Sequence, residues 1–106
     1  MSLGTNRPIE EIRPDRYQDL LRSKEIRLSD HALDRLSERQ RETFDVNILT
    51  SLCRKKPSKA YLQKNGRYRC YYRQKQGYKK IIIDINNRRA TIITFMNVDQ
   101  LPRIKL

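Results

Sequence analysis

Three turn signals divide the C-terminal half of this chain, and they constrain its fold more than any other feature. Asn65-Gly66 is a two-residue hairpin signal, because Asn and Gly tolerate the positive φ angles that such turns need. Residues 74–77 (QKQG) and 86–88 (NNR) supply the other two turns. The stretches between the turns have the period-two spacing or the apolar runs of strands. Four strands of an antiparallel meander are therefore expected, over residues 59–63, 67–73, 78–85 and 89–96.

The N-terminal half has helical spacing instead. Pro14 suits the first turn of a helix that runs to Leu21, and Ser29 is a favourable N-cap for a second helix over residues 30–40. A third helix is expected before the basic residues 54–56. The sequence thus predicts an α+β fold, with two to three N-terminal helices packed on a four-stranded antiparallel sheet.

One domain accounts for most of the chain. We expect residues 13–96 to form it, with residues 26–28 as a short strand or an extended link. Residues 1–12 are expected to be a flexible arm, and residues 97–106 a tail, a further edge strand or a homodimer contact.

Composition excludes several classes of protein. The 106 residues include one His, two Cys and three Gly, too few for a zinc site, a disulfide framework or a glycine-rich phosphate loop. No metal or cofactor is expected. No apolar run reaches membrane-spanning length, and the first residues lack the apolar core of a signal peptide. A cytoplasmic protein without a membrane partner is the expectation.

Positive charge is concentrated in the second half of the chain. Residues 1–53 carry nine basic and ten acidic side chains, whereas residues 54–106 carry fifteen basic and two acidic ones. The net charge is therefore −1 for the first half and +13 for the second. Such an excess indicates a polyanionic partner, although a solvated cationic surface is the simpler alternative.

The second expected strand carries an unusual row of side chains. Alternation puts Arg67, Arg69, Tyr71 and Arg73 on one face. If helices cover the opposite face, this row is a candidate surface for single-stranded RNA, because Arg forms bidentate phosphate contacts and Tyr stacks on unpaired bases. A cationic face that prevents aggregation is the alternative. Besides Arg67, Arg69 and Tyr71, six basic residues are expected to contact nucleic acid. They are Arg73, Lys75, Lys79, Lys80, Arg88 and Arg89.

His31 is the one imidazole of the chain. Its unperturbed pKa near 6.5 would suit a general acid or base. The alternative is that His31 is a helix-surface residue that pairs with Asp34 or Glu38. Position alone favours this alternative.

Residues 28–39, LSDHALDRLSER, contain the pattern S-x-H-A-x-x-R-x-x-E-R. This pattern resembles the opening helix of the DUF4258 family, whose members are similar to RelE- and BrnT-type toxins. The later order of elements is similar as far as residue 96, but Gln40-Arg41 stand where the family reads Gly-Ile. The resemblance implies a RelE-like fold and a metal-independent endoribonuclease, in which the RNA 2′-OH attacks the adjacent phosphate.

The resemblance also implies roles for particular side chains. Arg67 and Arg69 would hold the scissile phosphate, and His31 or Tyr71 would transfer a proton. Three further residues would support them: Arg35 and Arg39 would orient the RNA or His31, and Glu38 would be the second acid–base group or hold Arg35.

Three functions are consistent with these features. The first is the RelE-like endoribonuclease, a toxin whose partners would be RNA, free or ribosome-bound, and an acidic antitoxin. The second is a non-catalytic nucleic-acid-binding protein of a virus, phage or mobile element. The third is a basic interaction module for an acidic protein.

Overall fold

The computed structural model describes residues 6–36 and 46–106. Within them the chain forms six strands and three helices. In chain order they are β1 (Pro8–Ile12), α1 (Pro14–Leu21), β2 (Glu25–Leu28), α2 (Asp30–Arg35), α3 (Val46–Arg54), β3 (Lys59–Gln63), β4 (Tyr68–Arg73), β5 (Tyr78–Ile85) and β6 (Arg89–Val98). No helix in the described part of the chain is long and apolar enough to cross a membrane.

The sheet has six strands in the order β1-β3-β4-β5-β6-β2. Strands β3 to β6 are antiparallel neighbours, which confirms the predicted meander. Gly66 and Gly77 adopt φ angles of 87° and 70°, so the turns on either side of β4 use the backbone freedom expected of glycine.

The prediction of a four-stranded antiparallel sheet is wrong, because each edge carries a further strand. Residues 8–12, expected in an arm, form β1 and pair antiparallel with β3. Residues 25–28 form β2 and pair parallel with β6, which makes the sheet mixed. The short strand given as one alternative for residues 26–28 is confirmed by β2. Strand β1 is held by backbone pairing to a distant segment, so its local residue pattern gives little signal. The four-stranded RelE-like arrangement therefore does not describe this chain.

All three helices lie on one face of the sheet. Their buried side chains share one core with the inward residues of the strands. The helical members of this core are Tyr17, Leu21, Ala32, Leu36, Leu49 and Cys53.

Two of the predicted helix starts are confirmed. Pro14 occupies the first turn of α1, and the Ser29 side chain accepts a hydrogen bond from the Ala32 amide at the start of α2. Helix α2 runs to Arg35, and the predicted continuation over residues 37–40 lies outside the described residues.

The helices cover the face of β4 that carries Tyr68, Cys70 and Tyr72, which is the condition on which the arginine row is a candidate RNA surface. The Tyr17 ring of α1 lies 5.8 Å from the Tyr68 ring, and the Tyr72 hydroxyl donates to the Cys53 carbonyl of α3 at 3.2 Å. The arginine row of β4 therefore faces the other side of the sheet. We call that side the open face.

Candidate functional site

A cavity of about 250 Å³ lies on the open face, where the β3–β4 turn meets the centre of the sheet. Residues from four strands, from the turn and from the start of the described chain line it. They are Asn6, Gln63, Asn65, Arg67, Arg69, Lys80, Ile82, Ile93, Thr94, Phe95 and Met96. We call it the cationic cavity.

The hairpin turn shapes one wall of the cationic cavity. Asn65 Oδ1 accepts hydrogen bonds from the Arg67 amide at 3.0 Å and from Gln63 Nε2 at 3.1 Å. The backbone amide of Gln63 also donates to the Arg67 carbonyl at 2.8 Å. These bonds close the turn and fix the backbone at Arg67.

Three cations line the cavity, and none of its described lining residues is a carboxylate. The four ion pairs among the described residues all involve other side chains. Arg67, Arg69 and Lys80 therefore bring positive charge together with no neutralising carboxylate among the residues that the structure describes. Like charges held this way favour a bound anion.

Arg69 is held in position by its neighbours. Its Nε donates to Gln63 Oε1 at 3.0 Å, and its Nη2 donates to the Asn6 carbonyl at 2.7 Å. A guanidinium group has five N–H donors, so others are left for a ligand. Because two partners fix its plane, Arg69 binds an anion with little further loss of side-chain freedom.

Lys80 enters the cavity from β5. Burial lowers the pKa of its amine, and the nearby charge of Arg69 lowers it further. Burial and the Arg69 charge both disfavour the charged form of this amine, and a bound anion favours it. Lys80 is therefore stabilised more by a bound anion than an exposed lysine would be.

A β-bulge in β6 completes the opposite wall. Ile82 pairs with Thr94 and Ile83 pairs with Ile92, which leaves Ile93 as an extra residue. The bulge lets both Ile93 and Thr94 line the cavity. The Ser29 hydroxyl fixes the bulge by donating to the Ile93 carbonyl at 3.0 Å.

Tyr71 and Arg73, the last two residues of the predicted row, differ in their exposure to solvent. Tyr71 is only 3% exposed, and burial raises the pKa of its phenol, an effect that the Arg69 charge partly opposes. Its ring packs edge-on against Tyr61 at 6.2 Å. Arg73 is exposed at the end of β4. Neither residue lines the cationic cavity.

Lys79 lies on the covered face rather than on the open one. It pairs with Tyr72 across the strands and is 1% exposed, with its amine 5.6 Å from the centre of the Phe95 ring. Burial and the charge of Arg35 lower the pKa of Lys79. The Arg35 guanidinium lies 5.7 Å from the same ring, so both cations pack on Phe95.

The structure does not bring His31 into the cavity. It is exposed on α2, whose neighbour Ala32 is buried in the core on the other side of the sheet. Arg35 is half-buried on the same helix, while Glu38 and Arg39 lie outside the described residues. The proton-transfer role implied for His31 stays a prediction.

The remaining basic residues of the prediction lie away from the cavity. Lys75 is exposed in the β4–β5 turn, and Arg88 and Arg89 are exposed at the β5–β6 turn. Sequence reasoning missed the uncharged lining residues, which it had no reason to connect. Of these, Asn65 carried the hairpin signal, and Gln63 could have been found as a polar residue in the strand beside that hairpin.

No group of three or more His, Cys, Asp or Glu side chains in residues 6–36 and 46–106 is placed to hold a metal ion.

Comparisons of the chain with protein-family models, with curated proteins and with solved structures found no match. The resemblance based on residues 28–39 and on the later order of elements therefore stays a prediction.

Proposed function

We propose that this protein binds the phosphate backbone of nucleic acid at the cationic cavity. The observation that carries the proposal is the meeting of Arg67, Arg69 and Lys80 without a lining carboxylate among the described residues. Phosphate oxygens are the acceptors that such a group of cations recognises best.

The size of the cavity supports the same ligand. About 250 Å³ is smaller than the cavities that hold drug-sized molecules, and it suits a phosphate with part of its sugar. The exposed side-chain amides of Asn6 and Asn65 supply neutral hydrogen-bonding groups for sugar hydroxyls, whereas the buried Gln63 amide is bonded to Arg69 and Asn65.

The charge of the whole chain extends the attraction beyond the cavity. A net charge of +12 draws a polyanion to the surface over distances of about a Debye length, roughly 8 Å at physiological salt. The cavity then selects where the backbone settles. The two free, buried cysteines support the proposal that this happens in a reducing compartment such as the cytoplasm.

The proposal is tested by fluorescence anisotropy with labelled RNA and DNA oligonucleotides over a range of salt concentrations. Arg67→Gln, Arg69→Gln and Lys80→Gln should each weaken binding and lower the slope of log K against log salt by about 1. Lys75→Gln is the matched control, because it removes one exposed charge away from the cavity. Equal losses for all four variants would mean that the cavity is not the binding site.

RNA cleavage at the same cavity is the second candidate function. Lys80 favours it, because an amine with a lowered pKa exchanges a proton near neutral pH more readily than an ordinary lysine. Attack of the 2′-OH on its phosphate yields a 2′,3′-cyclic phosphate and a free 5′-OH. The attacking oxygen loses a proton and the leaving oxygen gains one.

Incubation of RNA with the protein in excess EDTA tests this activity, with product ends read by mass spectrometry. Cyclic phosphate ends that disappear with Lys80→Gln support cleavage at the cavity. Cleavage that instead disappears with His31→Ala would support the motif-based prediction. Intact RNA leaves binding as the function.

An acidic protein remains a proposed partner for the same surface. If it binds there, it should compete with RNA, and Arg69→Gln should weaken both interactions.

A further inference from the structure

An exposed cation–π pair lies beside the cationic cavity. Arg73 of β4 and Tyr78 of β5 are directly opposite each other across the antiparallel strands. The Arg73 guanidinium carbon lies 5.8 Å from the centre of the Tyr78 ring, and Arg73 Nη1 donates to the Tyr78 hydroxyl at 3.4 Å. Arg73 is exposed and Tyr78 is half-buried, so solvent reaches the pair.

The pair and the cavity share the open face. Tyr78 is two residues before Lys80 on β5, and alternate residues of a strand point to the same side. The rise along a strand separates their Cα atoms by about 7 Å. A phosphate bound beside Lys80 therefore has its neighbouring base within reach of Tyr78.

Tyr78 is the described aromatic side chain best placed to receive a base on this face. Tyr61 and Tyr71 are the other aromatic residues of the open face among the described ones, and they are 2% and 3% exposed. Tyr17, Tyr68 and Tyr72 belong to the covered face. Stacking on a base needs an accessible ring or guanidinium plane, which the Arg73–Tyr78 pair provides.

We infer that the nucleic acid bound by this protein is single-stranded, with one phosphate in the cationic cavity and an adjacent unpaired base stacked on the Arg73–Tyr78 pair. This inference rests on the proposed function and names its substrate class. In a duplex, neighbouring base pairs cover the base faces, so they cannot stack on a side chain of the sheet. The phosphates of a duplex would still meet the cavity, but the pair would contribute no stacking.

The test uses the full chain and three labelled probes: a single-stranded RNA, the same sequence as a duplex, and an abasic strand of equal length. The single strand should bind more tightly than the other two. Tyr78→Ala should weaken its binding by about 5-fold or more, the loss expected when one base no longer stacks. The same substitution should leave binding of the abasic strand unchanged. Tyr78→Phe keeps the ring and loses only the hydroxyl that accepts from Arg73, so it should recover most of the affinity that Tyr78→Ala loses.

A second variant reports the stacking directly. The chain contains no Trp, so Tyr78→Trp introduces a single indole fluorophore. Its emission should change on addition of the single strand and stay constant with the abasic strand.

Failure of this inference differs from failure of the proposed function. If the wild-type protein binds RNA and Arg69→Gln weakens binding, but Tyr78→Ala does not, the stacking site is overturned and phosphate binding stands. A duplex bound as tightly as the single strand overturns the inference in the same way. If no probe binds, or if Arg69→Gln changes nothing, both proposals are overturned.

Discussion

Arg69 and Lys80 line the same cavity from neighbouring strands, where burial and the charge of Arg69 together lower the pKa of the Lys80 amine. Holding these groups together destabilises the unliganded fold, because no carboxylate among the described lining residues neutralises them. A bound anion removes that cost, so the arrangement links binding to proton uptake.

We expect the protein to take up protons when it binds a phosphate backbone. The anion raises the lowered pKa of Lys80, so between the free and bound pKa values the complex holds more protons than the separate molecules. Calorimetric titration at about pH 9.5, below the ordinary lysine pKa near 10.4, in two buffers of different ionisation enthalpy measures this uptake.

Lys80→Gln is the control for this experiment and should abolish the uptake. Arg69→Gln should reduce it, because removing the neighbouring charge lets the pKa of Lys80 rise before any ligand binds. Uptake that persists in Lys80→Gln would assign the proton to another group.

The two glycines of positive φ should respond differently to substitution. A Cβ at Gly66 meets no atom within 4 Å, whereas one at Gly77 lies 2.4 Å from the Val98 carbonyl oxygen. Gly66→Ala should therefore cost only the strain of a left-handed residue, about 1–2 kcal/mol of unfolding free energy. Gly77→Ala should cost more, because the clash is with backbone.

Urea unfolding of both variants checks this order. Gly66→Asn is the control, since Asn tolerates the left-handed region and should be less destabilising than Ala there. Equal losses at the two glycines would contradict the close approach of Val98 to Gly77.

The part of the fold that sequence predicted well is the part governed by local pattern. The bounds of β3 and β5 agree with the prediction, because turn residues and period-two alternation mark strand ends. The same alternation placed Arg69 on the open face. Applied to β5, it also puts Lys79 beside Ile81 on the covered face, a consequence that the prediction of an exposed Lys79 overlooked.

The missed features depend on contacts between distant segments. Strand β1 contains adjacent glutamates and has no clear alternation, so only its pairing with β3 defines it. The bulge at Ile93 and the position of Asn6 on the cavity wall likewise follow from tertiary pairing. The sequence therefore predicted the three cations of the cavity, Arg67, Arg69 and Lys80, and did not predict its eight uncharged lining residues.

Ser29 should stabilise the fold through two hydrogen bonds, one in which its side chain accepts and one in which it donates. Its oxygen accepts from the Ala32 amide at 3.1 Å, and its hydroxyl donates to the Ile93 carbonyl at 3.0 Å. Ser29→Ala removes both and should lower the unfolding free energy by about 2 kcal/mol. Ser29→Asp keeps an acceptor for the helix cap but loses the donor, so its loss should be intermediate.

Urea unfolding curves with unchanged m-values would validate this comparison. If Ser29→Asp is as stable as the wild type, the bond to Ile93 contributes nothing. If the two variants lose the same stability, the helix cap contributes nothing.

The buried thiols should make the fold sensitive to alkaline pH. Burial raises the pKa of Cys53 from its ordinary value of 9.0 to about 12, and burial also raises the pKa of Cys70. Above pH 9 the unfolded chain loses these protons while the fold keeps them, so the unfolded state binds fewer protons and stability falls as pH rises. Each thiol contributes up to about 1.4 kcal/mol of lost stability per pH unit in that window.

Cys53→Ala isolates this effect. The variant starts less stable at neutral pH, because it leaves a small cavity beside Leu49 and the other core residues. Its unfolding free energy should nevertheless fall less steeply than that of the wild type between pH 9 and about 11, because one of the two thiols no longer titrates. Thermal unfolding under reducing conditions at several pH values measures both slopes. Parallel slopes would show that Cys53 ionises in the fold as readily as in the unfolded chain, contrary to its complete burial.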